Sequence, residues 1–246
     1  IEERRVFEDL TAVLYPDDSN ARGRLIRLAQ EYFFVSAGIQ SIIRYFKKLN
    51  HPWHVLSEKV AIHINDTHPA LCIPELMRIL MDEYEVSWEQ AWDLTSKVMS
   101  YTNHTIMAEA LEKWPTYLMK RSLPRMYQII KEIDRRYVVS MSGIHDAALI
   151  ERTRIIQGEE IHMANLAIIG SHSTNGVAKL HSDLLKAVVL HDFYTIYPER
   201  FNNKTNGIAQ RRWLQLSNEP LSRVLDETIG QSWRHEPADL KLLMNY

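Results

Sequence analysis

The sequence predicts an α/β fold, and three observations carry the prediction. Val60, Ile62 and Ile64 alternate with Ala61 and His63 at the period-2 spacing of a strand. Leu76, Met77, Leu80, Met81 and Tyr84 then recur at helical spacing, and Pro74 suits the first turn of that helix. Further on, His162 to Gly170 is a short apolar run bounded by glycine, the pattern of a second buried strand, and a polar turn leads from it into another helical stretch. Strand, polar turn and helix thus occur twice, and in open α/β sheets ligands bind at the edge where the strands end.

Length and composition bound the answer further. With 246 residues, 46% of them hydrophobic, the chain can bury a large core as one large domain or two small ones. Its 29 basic and 31 acidic residues give a formal net charge of −2, so no electrostatic footprint argues for nucleic acid or an anionic membrane. The single cysteine, Cys72, excludes an internal disulfide. With no apolar run of bilayer length and no signal-peptide pattern, the expected location is intracellular, in the cytoplasm. Three sequons, at Asn65, Asn103 and Asn203, matter only in a secreted protein and are discounted. Ile1 opens directly into Glu2-Glu3-Arg4-Arg5, and the chain closes at Asn245-Tyr246 just after an apolar segment, so it reads as a piece of something longer.

Taken in order, residues 1–12 read as helix and Leu14-Tyr15-Pro16-Asp17-Asp18-Ser19 as a loop rich in turn formers. From Arg24 to Phe46 the residues Leu25, Ala29, Tyr32, Ser36, Ile39, Ile43 and Phe46 form one apolar stripe of a long core-facing helix, with Arg22, Arg24, Arg27 and Arg44 expected on solvated faces. Asn50 to Ser57 reads as a loop into the first strand. That strand ends at Asn65-Asp66-Thr67-His68-Pro69, which presents an amide, a carboxylate, a hydroxyl and an imidazole together. Asn65 and Asp66 also fit a plain reading as turn residues capping their own backbone, with His68 held extended by Pro69.

Ser87 and Gln90 have capping-box spacing, and Trp88, Ala91, Trp92, Thr95, Val98 and Met99 follow on a helical face that ends near Ser100. His104, in Tyr101-Thr102-Asn103-His104-Thr105, is expected where this helix stops and another, carrying Glu109 and Glu112, begins; on its own a histidine so placed is more often structural. Helices are expected again over Ser122 to Tyr137 and over Ala147 to Ile156, the latter ending at Gly158. Gly170 to Gly176 reads as a glycine-bounded polar turn into a helix carrying Val177, Leu180, His181, Leu184 and Val188. It is not a P-loop, because its glycines are one residue too far apart and no Lys-Ser/Thr pair follows. Phe201 to Gly207 reads as an ordered loop or linker with Asn206-Gly207 as its turn.

Several long stretches then point to one family. INDTHPALCIPELMRIL, YTNHTIMAEALEKWP, NKTNGIAQRRWL and LYPDDS followed by RLIRLAQEYFFVSA resemble, in the family's order, the α-glucan phosphorylases. The resemblance implies the helix-rich part of a two-domain, GT-B-like glycosyltransferase fold. It places the later portion of the N-terminal domain at 1–206, and the crossover and first elements of the C-terminal, pyridoxal phosphate domain at 207–246. It implies cleavage of an α-1,4-glucosidic bond by inorganic phosphate to give glucose-1-phosphate, in a homodimer whose subunit-packing helix precedes Ile1 to Leu10. Pyridoxal phosphate is the implied cofactor, and its lysine and the phosphate-binding residues belong to polypeptide outside this chain. No catalytic residue is therefore assigned here, and the chain alone is expected to be inactive.

The resemblance implies substrate-binding roles for six residues. His104 would hydrogen-bond the 6-hydroxyl of the transferred glucosyl unit, Asn206 its 4- and 6-hydroxyls, and Val177 would line the sugar pocket. Asp66 would belong to the same wall, and Asp18 and Ser19 to a gating loop in which the family usually has asparagine where Ser19 stands. Asn20, next to it, leaves open which residue makes that contact. Rival readings are a metal-dependent hydrolase using His63, Asp66, His68 and His104, which lacks any zinc-motif spacing, and a non-catalytic glucan-binding piece. A paired-carboxylate hydrolase built on Glu109 and Glu112 is rejected, because residues three apart share one helix face rather than straddle a bond.

Overall fold

The computed structural model describes residues 8, 10–107 and 110–246. The chain divides into two compact units, one through Lys204 and one from Thr205. Most of the segment Ile1 to Leu10, and Glu109, lie outside the described residues.

The first unit is built on α1 (Ala21–Lys48), a 28-residue helix. Asn20 caps its start by accepting the Gly23 amide, and Lys47 and Lys48 sit in its last turn, where cations favour the dipole. A side chain at Gly23 would place its Cβ only 1.7 Å from the Asp17 carbonyl oxygen, so glycine lets the preceding loop fold back onto the helix. The buried face of α1 carries Arg27, Leu28, Gln30, Glu31, Val35, Ile39, Ile43 and Phe46. It is rotated from the expected stripe: Leu25 is exposed, and Arg27, expected in solvent, is buried.

Next come β1 (Ile62–Asn65), α2 (Cys72–Arg78) running on into a wide turn over Ile79–Glu83, and α3 (Trp88–Val98), capped by Ser87. The chain then forms β2 (Met99–Thr102) instead of a turn. Met99 and Tyr101 are fully buried, and the helical spacing of Val98 and Met99 had concealed the change of period. His104 therefore follows a strand rather than a helix. The helix expected around Glu112 is replaced by β3 (Lys113–Pro115), followed by α4 (Thr116–Ser122) and α5 (Pro124–Met141).

After α6 (Ala147–Thr153), shorter than expected, β4 (Ile156–Gln157) and β5 (Glu160–His162) form a hairpin that pairs with β3 in the order β3-β5-β4. The run expected as a second buried strand is α7 (Met163–Ile169), a helix whose seven residues are all buried. With no polar face there is no period to read, and short apolar runs are ambiguous between helix and strand. Gly170 ends it where a Cβ would lie 2.6 Å from Ile73 Cδ1, so the missing side chain lets α7 pack against α2.

The polar stretch that follows, expected as a turn, is β6 (Ser173–Gly176); α8 (Lys179–Leu184), α9 (His191–Ile196) and β7 (Phe201–Asn203) complete the unit. The main sheet is parallel throughout, in the order β1-β2-β6-β7. Among the described residues, no helix is long and apolar enough to cross a membrane.

The second unit centres on α10 (Glu219–Ile229), capped by Asn218 and ended by Gly230 at φ 79°. Trp233 is fully buried and donates from Nε1 to Asp226, which also pairs with Arg234.

Candidate functional site

The register of the parallel sheet aligns Asn65, Thr102, Asn175 and Asn202 as one polar row across all four strands at their C-terminal ends. Thr102 and Asn175 are buried and need partners, and they find one another. His63 Nε2 contacts Thr102 Oγ1, Thr102 donates to Asn175 Oδ1 at 2.8 Å, and Asn175 donates to the Gly176 carbonyl at 2.8 Å. Asn202 donates to Ser173 Oγ at 2.8 Å. This line of bonds fixes the sheet edge from which the next residues leave.

Asp66 leaves β1 with φ 62°, a left-handed conformation that costs a non-glycine residue energy and is common where strain serves a site. Its Oδ1 accepts the Thr67 amide at 2.6 Å, and its own amide donates to Thr102 O at 3.0 Å. The plain turn reading of Asp66 thus holds at the level of the backbone.

Asn103, fully buried, turns the chain after β2: its Oδ1 accepts the Thr105 amide at 2.9 Å while its Nδ2 donates to Tyr101 Oη at 3.2 Å. Burial holds the Tyr101 phenol well above its ordinary range, so it stays neutral. The turn leaves His104 exposed, with Nε2 2.8 Å from Asn65 Oδ1. In this assignment of the Asn65 amide the oxygen can only accept, so Nε2 carries the proton and Nδ1 of the neutral ring is left as an acceptor.

Val177 follows β6, and its amide donates to His181 Nδ1 at 3.0 Å. With Nδ1 accepting, His181 presents Nε2–H toward Thr105 O, 3.5 Å away. His181 thereby ties the turn after β6 to the turn after β2, a positioning role that its place on a helical face did not reveal.

In the loop before α1, Asp17 Oδ1 accepts the Ser19 amide at 3.0 Å, an Asx-turn that also holds the Asp17 carboxyl below its usual range. The Asp18 carbonyl accepts Arg24 Nε at 3.1 Å, and Asp18 and Ser19 are exposed. The Asn20 side-chain oxygen is committed to capping α1, accepting Gly23 N at 2.9 Å. Asn206 lies exposed in the second unit.

Beside this edge lies a cluster that sequence reasoning did not assemble. Glu31 from α1, His68 from the turn after β1, and Glu112 just before β3 bring one donor atom each to within 4.8 Å of one another. Of the four residues in the metal-hydrolase reading only His68 belongs to it; His63 and His104 are engaged with Thr102 and Asn65. His68 Nδ1 stands 3.8 Å from Glu31 Oε1 and 3.7 Å from Glu112 Oε1, beyond hydrogen-bond reach. Both Glu31 oxygens, Glu112 Oε2 and Trp114 Nε1 are buried without a well-aligned hydrogen-bond partner among the described residues. Burial first, then the neighbouring Glu112 carboxylate, pushes the Glu31 carboxyl up to about 10, while the same Glu112 raises His68 against the opposing effect of burial.

The sheet edge offers directional hydrogen-bonding groups of little net charge, suited to a polyhydroxylated ligand. Cys72 is not a nucleophile at neutral pH, since burial pushes its thiol up to about 12.

A carbohydrate phosphorylase family model matches residues 1–246. The chain is 49% identical over 245 residues to a glycogen phosphorylase of Bacillus subtilis, covering 99% of this chain and 31% of that protein. It is 46% identical over 248 residues to a glycogen phosphorylase of Haemophilus influenzae and 44% over 257 residues to the muscle form of glycogen phosphorylase from Mus musculus. It covers 30% of the length of each of those two. A match over every residue, with relatives this similar, means that the chain belongs to the carbohydrate phosphorylase family.

Proposed function

We propose that this chain forms one wall of the glucosyl site of an α-1,4-glucan phosphorylase, which cleaves the glucan with inorganic phosphate and releases glucose-1-phosphate. One observation carries the reading: Asp66, His104 and Val177 leave the same edge of one parallel sheet on three adjacent strands. That edge is where α/β sheets bind ligands.

His104 is the residue to which the geometry gives the most specific role. With Nε2–H held by Asn65, its Nδ1 is placed to accept a hydrogen bond from a sugar hydroxyl, and the proposed donor is the 6-hydroxyl. Asp66 and Val177 line the same wall, and Asp18 and Ser19 form a loop over it. Asn20 is the weaker candidate for the loop contact, because its oxygen caps α1. Asn206, at the end of the portion read as N-terminal domain, is proposed to bind the 4- and 6-hydroxyls. The division into compact units after Lys204 supports a boundary there.

Pyridoxal phosphate does not fit this chain by itself. Every described lysine is at least partly exposed, whereas a Schiff-base lysine works from a dry pocket. The aldimine lysine is therefore assigned to the remainder of the longer polypeptide, which is proposed to be a cytoplasmic homodimer. The test is phosphate-dependent release of glucose-1-phosphate from an α-1,4-glucan. The full-length polypeptide is expected to release it and this chain alone is not. Hydrolysis to free glucose without phosphate would overturn the reading.

A further inference from the structure

We propose that Glu31, His68 and Glu112 form a binding site for a divalent transition cation, zinc by the class of its donors, which clips α1, the turn after β1 and the segment before β3 together. Imidazole nitrogen and carboxylate oxygen are both donors that zinc takes, and three of them leave a fourth position open.

The spacing suits such an ion. Zinc–oxygen and zinc–nitrogen bonds of about 2.0 to 2.2 Å at a tetrahedral angle put neighbouring donors roughly 3.3 to 3.5 Å apart. His68 Nδ1 lies 3.8 and 3.7 Å from the two carboxylate oxygens, within a few tenths of an ångström of that spacing, and the three donors all lie within 4.8 Å of one another. The second observation is independent of the spacing. The Glu31 side chain is 2% exposed, and neither of its oxygens receives a well-aligned hydrogen bond from the described residues. A buried polar group left without a partner costs about 1 to 3 kcal/mol, and a cation ligated by these oxygens removes that penalty.

Arg27 is the opposing charge. Its Nε approaches Glu31 Oε1 to 3.1 Å without a well-aligned hydrogen bond, and its guanidinium packs over the Tyr15 ring. Burial keeps the Glu31 carboxyl protonated in the empty cluster, so a bound ion must first release that proton to solvent; with both carboxylates then ionised and His68 neutral, Arg27 leaves the ligand set one negative charge, and Asp66 adds another nearby. Attraction for a divalent cation survives, weakened. The ion has no assigned part in phosphorolysis, so the inference stands apart from the glucosyl site.

The probe is Zn2+ alone, added to the metal-stripped full-length polypeptide and followed by calorimetry, with Co2+ absorption as a second signal. Wild type is expected to bind at this site, to gain thermal stability with zinc, and to give the visible absorption of tetrahedral cobalt. Glu31→Gln, which keeps the side-chain shape, and His68→Ala, at a side chain 44% exposed and so tolerant of change, should each weaken zinc at least tenfold and abolish the cobalt band. Arg27→Met should tighten zinc severalfold. The proposal is overturned if wild type gives no cobalt band and no zinc-dependent stabilisation. It is equally overturned if Glu31→Gln and His68→Ala bind zinc as wild type does.

Discussion

Glu75 and Glu31 are both buried carboxylates at the face of α1 that packs into the core, yet the protein treats them in opposite ways. Glu75 is fully buried; it accepts hydrogen bonds from Ser36 at 2.7 Å, Tyr32 at 3.1 Å, and both Arg78 Nε at 2.8 Å and Arg78 Nη2 at 2.9 Å. Its charge is matched and both oxygens are satisfied, so it joins α1 to α2 as an internal strut. Glu31, on α1 itself, has Arg27 close by but no well-aligned hydrogen bond from the described residues, and it faces His68 and Glu112 instead. The contrast teaches that burial alone does not separate structural from functional carboxylates. The fate of the lone pairs does.

The comparison is broken most sharply at Glu75. Glu75→Ala leaves Arg78, Tyr32 and Ser36 without their acceptor and is expected to destabilise the domain by about 3 to 5 kcal/mol, the usual cost of removing one member of a buried ion pair. Urea unfolding of the full-length polypeptide, followed by a probe in this domain, measures it. A loss under about 1 kcal/mol would remove the distinction from Glu31.

Glu31→Gln in the presence of a chelator is expected to change stability by less than about 1 kcal/mol at neutral pH, because the amide keeps the shape and burial already holds the Glu31 carboxyl in its uncharged form. The same unfolding experiment reads it. A loss as large as that of Glu75→Ala would mean that Glu31 is a structural strut after all.

The smallest effect belongs to an exposed carboxylate with good partners. Arg135 first and then Arg136 depress the Glu132 carboxyl from 4.5 to about 2. A depressed acid contributes stability that is present above its unfolded value and lost as pH falls through its folded one. The contribution should therefore fade between about pH 4.5 and 2 in wild type and be missing from Glu132→Gln. Its side chain is 31% exposed, so the effect is small and shrinks further in high salt. Superimposable acid limbs for the two proteins at low salt would show that the pair contributes nothing.

The same contrast explains how far the sequence could be read. β1 was legible because Ile62 and Ile64 alternate with an exposed His63, and α3 because Ser87 caps a helix with one polar face. β6 was hidden because Thr174, Asn175 and Gly176 are buried polar or small residues that look like a turn. α7 was hidden because all of its residues are buried. His63, Asp66, His68 and His104 stood out as chemistry-bearing types, but residues 31, 68 and 112 come together only through the packing of α1 against the turn after β1 and the start of β3. Nothing in their spacing along the chain announces that meeting. The pairing of His104 with Asn65 likewise follows from the parallel register of β1 and β2.

The central claim is that the sheet edge binds a glucosyl unit through His104. If Nδ1 accepts the 6-hydroxyl, removing the ring leaves that hydroxyl without a partner in the closed site, at a cost of about 1 to 3 kcal/mol. That corresponds to about a tenfold to hundredfold loss in rate. Xylose-1-phosphate has no 6-hydroxyl and cannot lose this bond. The decisive measurement is kcat/KM for glucose-1-phosphate and for xylose-1-phosphate in the glucan-extending direction, with the wild-type full-length enzyme and with His104→Ala. The account predicts that the substitution narrows the preference for glucose by at least about tenfold. Equal proportional losses on the two sugars would contradict it and leave His104 a structural neighbour of Asn65.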